Sequence, residues 1–324
     1  FTAVDAAGTV RFADFGELDT PFPFVALMPQ SDFLRLVFKE AERTGHVRLV
    51  TGADVQGLIG EAGTVRGVRY DWAGEHRELR APLVVACDGR HSAVRAAAGL
   101  EPAAFGASID VLWTTLPRCP GDDAEAGALF RFGPGAMLAL MPAADHWQAG
   151  LIIEKGSFEA VQAAGIEAFR ERLAALAPAF AGRVDAVESW RQVALLRVEV
   201  ARLRRWYRPG VLCIGDAAHA MSPVGMVGIN LAIQDAVAAA EVLAGPLRQG
   251  AVPERLLRAV QHRRQRWIRL AQRVQAVVHR RVLGRALSAS VAPRLPQPER
   301  WLMQRPVLRH LATRLIAYGY LGRG

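Results

Sequence analysis

Strand-like and helix-like runs of apolar positions divide the chain into three stretches. In the first, to about residue 104, positions 2–15 read as a strand, a turn at Ala7-Gly8 and a second strand. Ser31 stands as the cap of a helical pattern over 32–43, and short β segments are predicted at 47–51, 65–70 and 83–87. The second stretch, 105–205, carries β-like runs at 110–116, 128–132, 136–141 and 147–153, then a helix over about 166–176 and a further strand-like run over 189–200. The third, 206–324, opens with an apolar strand at 210–214, crosses a glycine-rich loop into a helix over about 228–243, and ends in arginine-rich helical sequence. This pattern predicts a mixed α/β chain with a β-rich module set between two α/β portions.

Composition narrows the class. With 324 residues, 51% hydrophobic and 22% charged, the chain can bury a substantial core, which excludes disordered, collagen-like and disulfide-stapled proteins. No apolar run is long enough to span a membrane and no leader pattern is present, so a cytoplasmic protein is expected. Cys87, Cys119 and Cys213 form no Cys-x-x-Cys pair and read as reduced, packed thiols. The net charge of +9 is unevenly placed: from Pro253 onward sixteen arginines face two glutamates, a surplus of +14, which leaves residues 1–252 at −5. Phe1 stands where a first methionine would, and a strand begins at once, so the chain is expected to begin inside a domain.

Two segments carry candidate chemistry. In the first, residues 211–214 form a buried strand, Gly215 permits a tight exit, and Asp216 sits at the strand's carboxyl end, where open α/β sheets bind ligands. An acid there accepts hydrogen bonds from sugar or polyol hydroxyls. Pro223, Gly225 and Gly228 then shape a loop into a helix, whose free N–H groups and positive dipole end favour an anion or an electron-rich carbonyl. An ordinary strand-loop-helix connection capped by Asn230 explains the glycines taken alone; the whole spacing is harder to obtain by chance. In the second segment a buried strand ends at Asp88-Gly89, and Ser92 and Arg95 follow in the first turns of a helix. Asp88 can orient this loop, while the planar fork of Arg95 suits a phosphate or carboxylate, or a pairing with Asp88.

Gly215-Asp-Ala-Ala-His219 with Pro223, Gly225, Gly228, Asn230 and Asp235-Ala236, preceded by Asp88-Gly89, resembles the paired fingerprints of the aromatic-hydroxylase family of single-component flavoprotein monooxygenases, the group typified by para-hydroxybenzoate hydroxylase. The resemblance implies a Rossmann-like FAD-binding domain with an inserted β-sheet substrate domain and C-terminal helices. It implies that Asp216 binds the ribityl chain of FAD and that the loop from Gly225 through Gly228, Ile229 and Asn230 holds the flavin ring. The Asp88-Gly89 segment would support the pyrophosphate region and NAD(P)H use, and Gln30, in Met28-Pro29-Gln30, would touch FAD. The implied activity is hydroxylation of an aromatic or polyketide-like substrate with NAD(P)H as electron donor and O2 as oxygen source. A halogenase or isoprenoid reductase of the same fold, or an inactive fragment with a basic interaction tail, stays open as an alternative.

The sequence departs from that family in lacking Gly-x-Gly-x-x-Gly: Gly133-Pro-Gly135 is followed three residues on by Leu138. A fragment of a longer polypeptide or a truncated product is therefore expected, along with weak or absent FAD binding by these residues alone. His219 is expected to pack or to bond the loop, and His91 to lie in a solvated turn. Trp113, Trp147 and Trp190 either line a substrate cavity or fill the core of a sheet. No nucleophile-base pair or metal-ligand pattern is present. In the arginine-rich end, Leu256, Val260, Trp267, Leu270, Val274, Val277 and Val278 make one apolar stripe. That stripe packs a helix on the flavin domain or, with the basic segment 301–314, docks on anionic lipid; nucleic-acid binding is not expected, since no recognised module accompanies the charge.

Overall fold

The computed structural model describes residues 1–122, 127–250, 252–291, 293–294, 300–301 and 304–318. The chain forms two compact units, one of Phe1–Pro29, Ala107–Val198 and Val274–Gly324, the other of Gln30–Gly106 and Glu199–Arg273. The units divide after Gly106 and after Val198, and the first twenty-nine residues and those after 273 group with the β-rich module.

The β-rich unit is built on one sheet in the order Ala194–Arg197, Ile109–Pro117, His146–Glu154, Ala136–Pro142, Leu129–Gly133, Thr2–Asp5 and Gly8–Arg11. All neighbours run antiparallel except Thr2–Asp5 beside Leu129–Gly133. The period-two pattern sets Leu138 opposite Leu151 and Leu151 opposite Leu112. This row packs against Phe169 and Leu173 of the helix Gly165–Leu176 and against Phe180 of the 3-10 segment behind it. The expected hairpin near the start and four central strands are therefore present, joined through the parallel pairing of the hairpin with the module.

The other unit holds the meander Asp54–Glu61, Thr64–Trp72 and Glu75–Arg80, a ribbon of Pro102–Ala104 with Ala201–Leu203, and a sheet in the order Tyr207–Arg208, Val211–Cys213 and Val84–Ala86. Trp206, Leu212 and Leu231 lie in its core with Leu257, Val260 and Ile268 of the long helix Glu254–Val278.

Several local expectations change. The strand expected at 47–51 does not form; Val47 and Leu49 are exposed, and no described strand offers them a ladder partner. The first helix spans Gln30–Arg43, so Ser31 lies inside it rather than capping it, and none of its residues is buried. The run at 189–200 shortens to a 3-10 turn, Trp190–Gln192, and the strand Ala194–Arg197. Here the Gln192 side chain accepts the Glu188 and Ser189 N–H groups and donates to the Ala186 carbonyl, a local alternative to the ladder. On Glu254–Val278 the buried stripe is Leu257, Val260, Ile268 and Ala271 with the polar Gln261, Arg264 and Gln272, while Val274 and Val277 are exposed. Hydrogen bonds turn the helix this way: Gln261 accepts from the Trp206 N–H and donates to the Arg204 carbonyl, and Gln272 donates to the carbonyls of Ala201 and Ala220. The helix thus belongs to a core and carries its surface arginines on the opposite side. Residues 302 and 303 of the basic segment 301–314 lie outside the described residues. Among the described residues no helix is long and apolar enough to cross a membrane.

Candidate functional site

Parallel pairing unites the two motif segments. Val84, Val85 and Ala86 lie opposite Val211, Leu212 and Cys213, and the Ile214 N–H continues the ladder to the Ala86 carbonyl at 3.0 Å. Both strands run out at the same end, so Asp88-Gly89 and Gly215-Asp216 emerge side by side at the carboxyl edge of the sheet.

Each turn is held by its own chemistry. Gly215 has φ +58°, and a Cβ there would stand 3.1 Å from the Cβ of Ala232, so the sharp exit and the close helix both call for glycine. The Gly215 carbonyl accepts the N–H groups of Ala218 and His219, each at 2.9 Å. In the companion turn, Asp88 accepts the Val94 N–H at 3.0 Å and Ser92 caps the short helix Ala93–Ala97 through the Arg95 N–H at 2.9 Å. The Arg95 guanidinium donates to the Ala217 carbonyl at 3.1 Å and to the Arg90 carbonyl at 2.8 Å. It therefore braces one turn against the other, and its fork is engaged by carbonyls rather than by Asp88. Arg90 reaches within 3.7 Å of the Asp216 carboxylate, which is 35% exposed.

The loop beyond is tightly folded. Ser222 is buried and accepts the Val224 N–H, Pro223 accepts the Met226 N–H at 3.0 Å, and Gly225 has φ +83°. Met226 is also left-handed, at φ +54°, a conformation that costs a side-chain-bearing residue roughly 1–2 kcal/mol. The helix Gly228–Arg248 then starts with Val227 at its cap, which has no side-chain acceptor, so the positive helix end at Gly228, Ile229 and Asn230 stays available. Asn230 lies within the first turn and is not the cap. Gln30 is the exposed first residue of the helix Gln30–Arg43.

Behind this edge lies a buried polar cluster that the motif alone does not reveal. Asp235 accepts from His219 Nε2 at 2.6 Å, from the Gly215 N–H at 3.1 Å and from Arg264 Nε at 2.8 Å. Burial works to raise its pKa, but the hydrogen bond and charge of His219, together with Arg264, outweigh it and hold the carboxyl below its usual range. The Trp206 ring lies 5.0 Å from that of His219. His219 thus takes the loop-bonding role expected of it. Asp235 stands in the quoted motif and could be singled out there, whereas Arg264 has no signal beyond a general arginine surplus. His91 is exposed, Trp147 packs edge-on to Phe180 in the sheet core, and the half-buried Trp190 packs on Phe158 and Phe169 against that core. Trp113 is half-buried against Gly150. Among the described residues no group of three or more His, Cys, Asp or Glu side chains is placed to hold a metal.

These residues fit a flavin. Asp216 offers a partly exposed acceptor for hydroxyls, the uncapped helix start offers positive potential to an electron-rich ring edge, and a Cβ at Gly89 would meet nothing within 4 Å, which leaves room for close approach. Such a strand-end and helix-start arrangement is the one by which open α/β sheets bind dinucleotides and flavins. A family model described as FAD binding domain matches residues 4–274. The 6-methylpretetramide 4-monooxygenase of Streptomyces rimosus is 35% identical over 322 residues, 98% of this chain and 75% of that protein. Other curated relatives are matched over 41% and 49% of their own length. Among solved structures, pqsL, a probable FAD-dependent monooxygenase from Pseudomonas aeruginosa, shares the fold with a TM-score of 0.72 at 21% identity, over 88% of this chain and 78% of that one. The anhydrotetracycline hydroxylase OxyS from Streptomyces rimosus shares it with a TM-score of 0.69 at 22% identity, over 98% of this chain and 62% of that one. The chain belongs to the FAD binding domain family and, within it, to the FAD-dependent aromatic hydroxylases and monooxygenases.

Proposed function

We propose that this monooxygenase hydroxylates an aromatic, polyketide-like substrate with NAD(P)H as electron donor. The observation that carries the reading is the emergence of Asp88-Gly89 and Gly215-Asp216 side by side at the carboxyl edge of the sheet, followed in the chain by a helix start at Gly228 with no side-chain cap. The similarity to a 6-methylpretetramide 4-monooxygenase supports the substrate class.

One atom of O2 enters a substrate C–H bond as hydroxyl and the other leaves as water, while NAD(P)H is oxidised to NAD(P)+ and one proton is consumed. FAD, when bound, supplies electron transfer and oxygen activation. The chain supplies the rest. Asp216 would accept hydrogen bonds from the ribityl hydroxyls and the loop from Pro223 through Gly225 to Asn230 would hold the ring, while Arg95 keeps the Asp88-Gly89 turn in register with the Gly215 turn. The helix start at Gly228 would stabilise negative charge placed against it by about 0.3–2 kcal/mol. Gln30 is proposed as a further contact to the cofactor.

Replacing Asp216 with Ala removes the acceptor, and hydrogen bonds to a charged group contribute about 1.5–3 kcal/mol. Titration of FAD into the protein, followed by quenching of flavin fluorescence, is expected to show affinity falling roughly ten- to hundredfold. Unchanged affinity removes the ribityl role.

A further inference from the structure

We propose that Asp235 is a positioning residue for the flavin-facing turn, acting through the Gly215 amide and His219 without touching the cofactor. This rests on the flavoprotein reading above. Gly215 is required where it stands because a Cβ would crowd Ala232, yet glycine leaves the backbone free to leave its left-handed conformation. The Asp216 carboxylate is aimed by that same backbone.

Asp235 removes the freedom. Its Oδ2 accepts the Gly215 N–H at 3.1 Å and His219 Nε2 at 2.6 Å, and its Oδ1 accepts Arg264 Nε at 2.8 Å. One carboxylate therefore joins the strand exit, the end of the Gly215–His219 turn and the helix Glu254–Val278. Asp235 itself rides on Gly228–Arg248, the helix whose first turn is offered to the ring. Both ends of the proposed flavin cradle are set by one side chain.

The cluster is poorly explained as a device for stability alone. Asp235, His219 and Arg264 are all buried, and His219 Nδ1, Arg264 Nη2 and the neighbouring Trp206 Nε1 are buried without a hydrogen-bond partner. Apolar packing would avoid those unpaired atoms, whereas a network kept for geometry retains them.

The test compares wild type with Asp235→Asn and His219→Gln, measuring amide hydrogen exchange without FAD and the FAD dissociation constant. Asp235→Asn keeps the size but turns a donor toward donors. Exchange across 215–219 is expected to speed up at least tenfold while Val84–Ala86 and Val211–Cys213 exchange as in wild type, and the Kd for FAD is expected to rise at least tenfold. His219→Gln, which leaves the Gly215 and Arg264 bonds in place, is expected to shift both readouts in the same direction by a smaller factor. The proposal is overturned if Asp235→Asn folds and its Kd stays within twofold of wild type, or if exchange rises equally across both strands. Should Asp235→Asn fail to fold, unchanged exchange and Kd in His219→Gln overturn it. FAD binding by wild type too weak to measure, the outcome expected of residues that lack Gly-x-Gly-x-x-Gly, leaves the exchange comparison to decide whether Asp235 holds the turn, while a measurable FAD affinity that Asp216→Ala leaves unchanged removes the flavin-facing reading of the turn alone.

Discussion

At Gly215 two constraints coincide: a left-handed φ of +58° and a helix wall at Ala232 only 3.1 Å from the place of a Cβ. Gly215→Ala is expected to cost about 1–2 kcal/mol from the backbone alone, with the added contact increasing it. Urea unfolding followed by circular dichroism checks this, and a loss below about 0.5 kcal/mol would show that the turn relaxes readily. Gly215 and Asp216 are legible in the sequence because strand, glycine and acid are contiguous there. Their support is not: Arg95 reaches the Ala217 carbonyl and Arg264 reaches Asp235 across long stretches of chain, and neither side chain is distinguished by its neighbours in sequence.

Among the elements, the central strands of the sheet in the β-rich unit are legible as near-continuous apolar runs, since residues 136–140 and 149–153 are buried one after another and their leucines pack with the helix Gly165–Leu176 and the 3-10 segment behind it. A polar anchor sits at the end of that sheet. Asp110 accepts the Gly156 N–H at 3.0 Å, the Val198 N–H at 2.9 Å and Lys155 Nζ at 3.0 Å, joining two strand ends and a turn. Burial pushes its pKa up, but the Gly156 amide, Lys155 and the Val198 amide outweigh burial and leave it below the ordinary aspartate range. Because the folded-state value is depressed, the stabilisation is complete above the ordinary aspartate pKa of about 3.9 and disappears as pH falls through the lower folded value. Unfolding free energies measured from pH 6 down to pH 2 are expected to fall on this acid limb, and Asp110→Asn is expected to flatten part of it. An unaltered acid limb in the variant would assign that dependence to other carboxylates. By contrast, the strand expected at 47–51 is absent, since alternation specifies which face is apolar and leaves open whether a partner edge exists.

At the scale of the whole chain the charge is concentrated toward its end, and the helix Glu254–Val278 shows how a basic segment can also serve a core. Its Arg264 is buried against Asp235 while arginines such as Arg266, Arg269 and Arg273 are exposed. The acceptors and helix start suited to a flavin cluster at Asp216 and Gly228, and no Gly-x-Gly-x-x-Gly accompanies them for a pyrophosphate. Residues 1–324 by themselves are therefore expected to bind FMN and FAD with affinities within about tenfold, a difference of at most about 1.4 kcal/mol. Parallel fluorescence titrations measure this, and a preference for FAD of a hundredfold or more would reveal a binding surface for the adenosine half.

By itself the sequence determined the mixed α/β class, the strands of the β-rich module, the two motif turns and the flavoprotein family, because each of these depends on residues close together in the chain: alternation, glycine spacing, an acid at a strand end. The tertiary structure decided which distant pieces meet. It set Val84–Ala86 parallel to Val211–Cys213, grouped the first hairpin with the β-rich module, turned the arginine-rich helix so that Gln261, Arg264 and Gln272 face inward, and gathered Gly215, His219 and Arg264 around Asp235. The physical reason is that a buried carboxylate or amide is stable only where donors and acceptors from other elements complete it, and their arrival depends on the packing of the whole core.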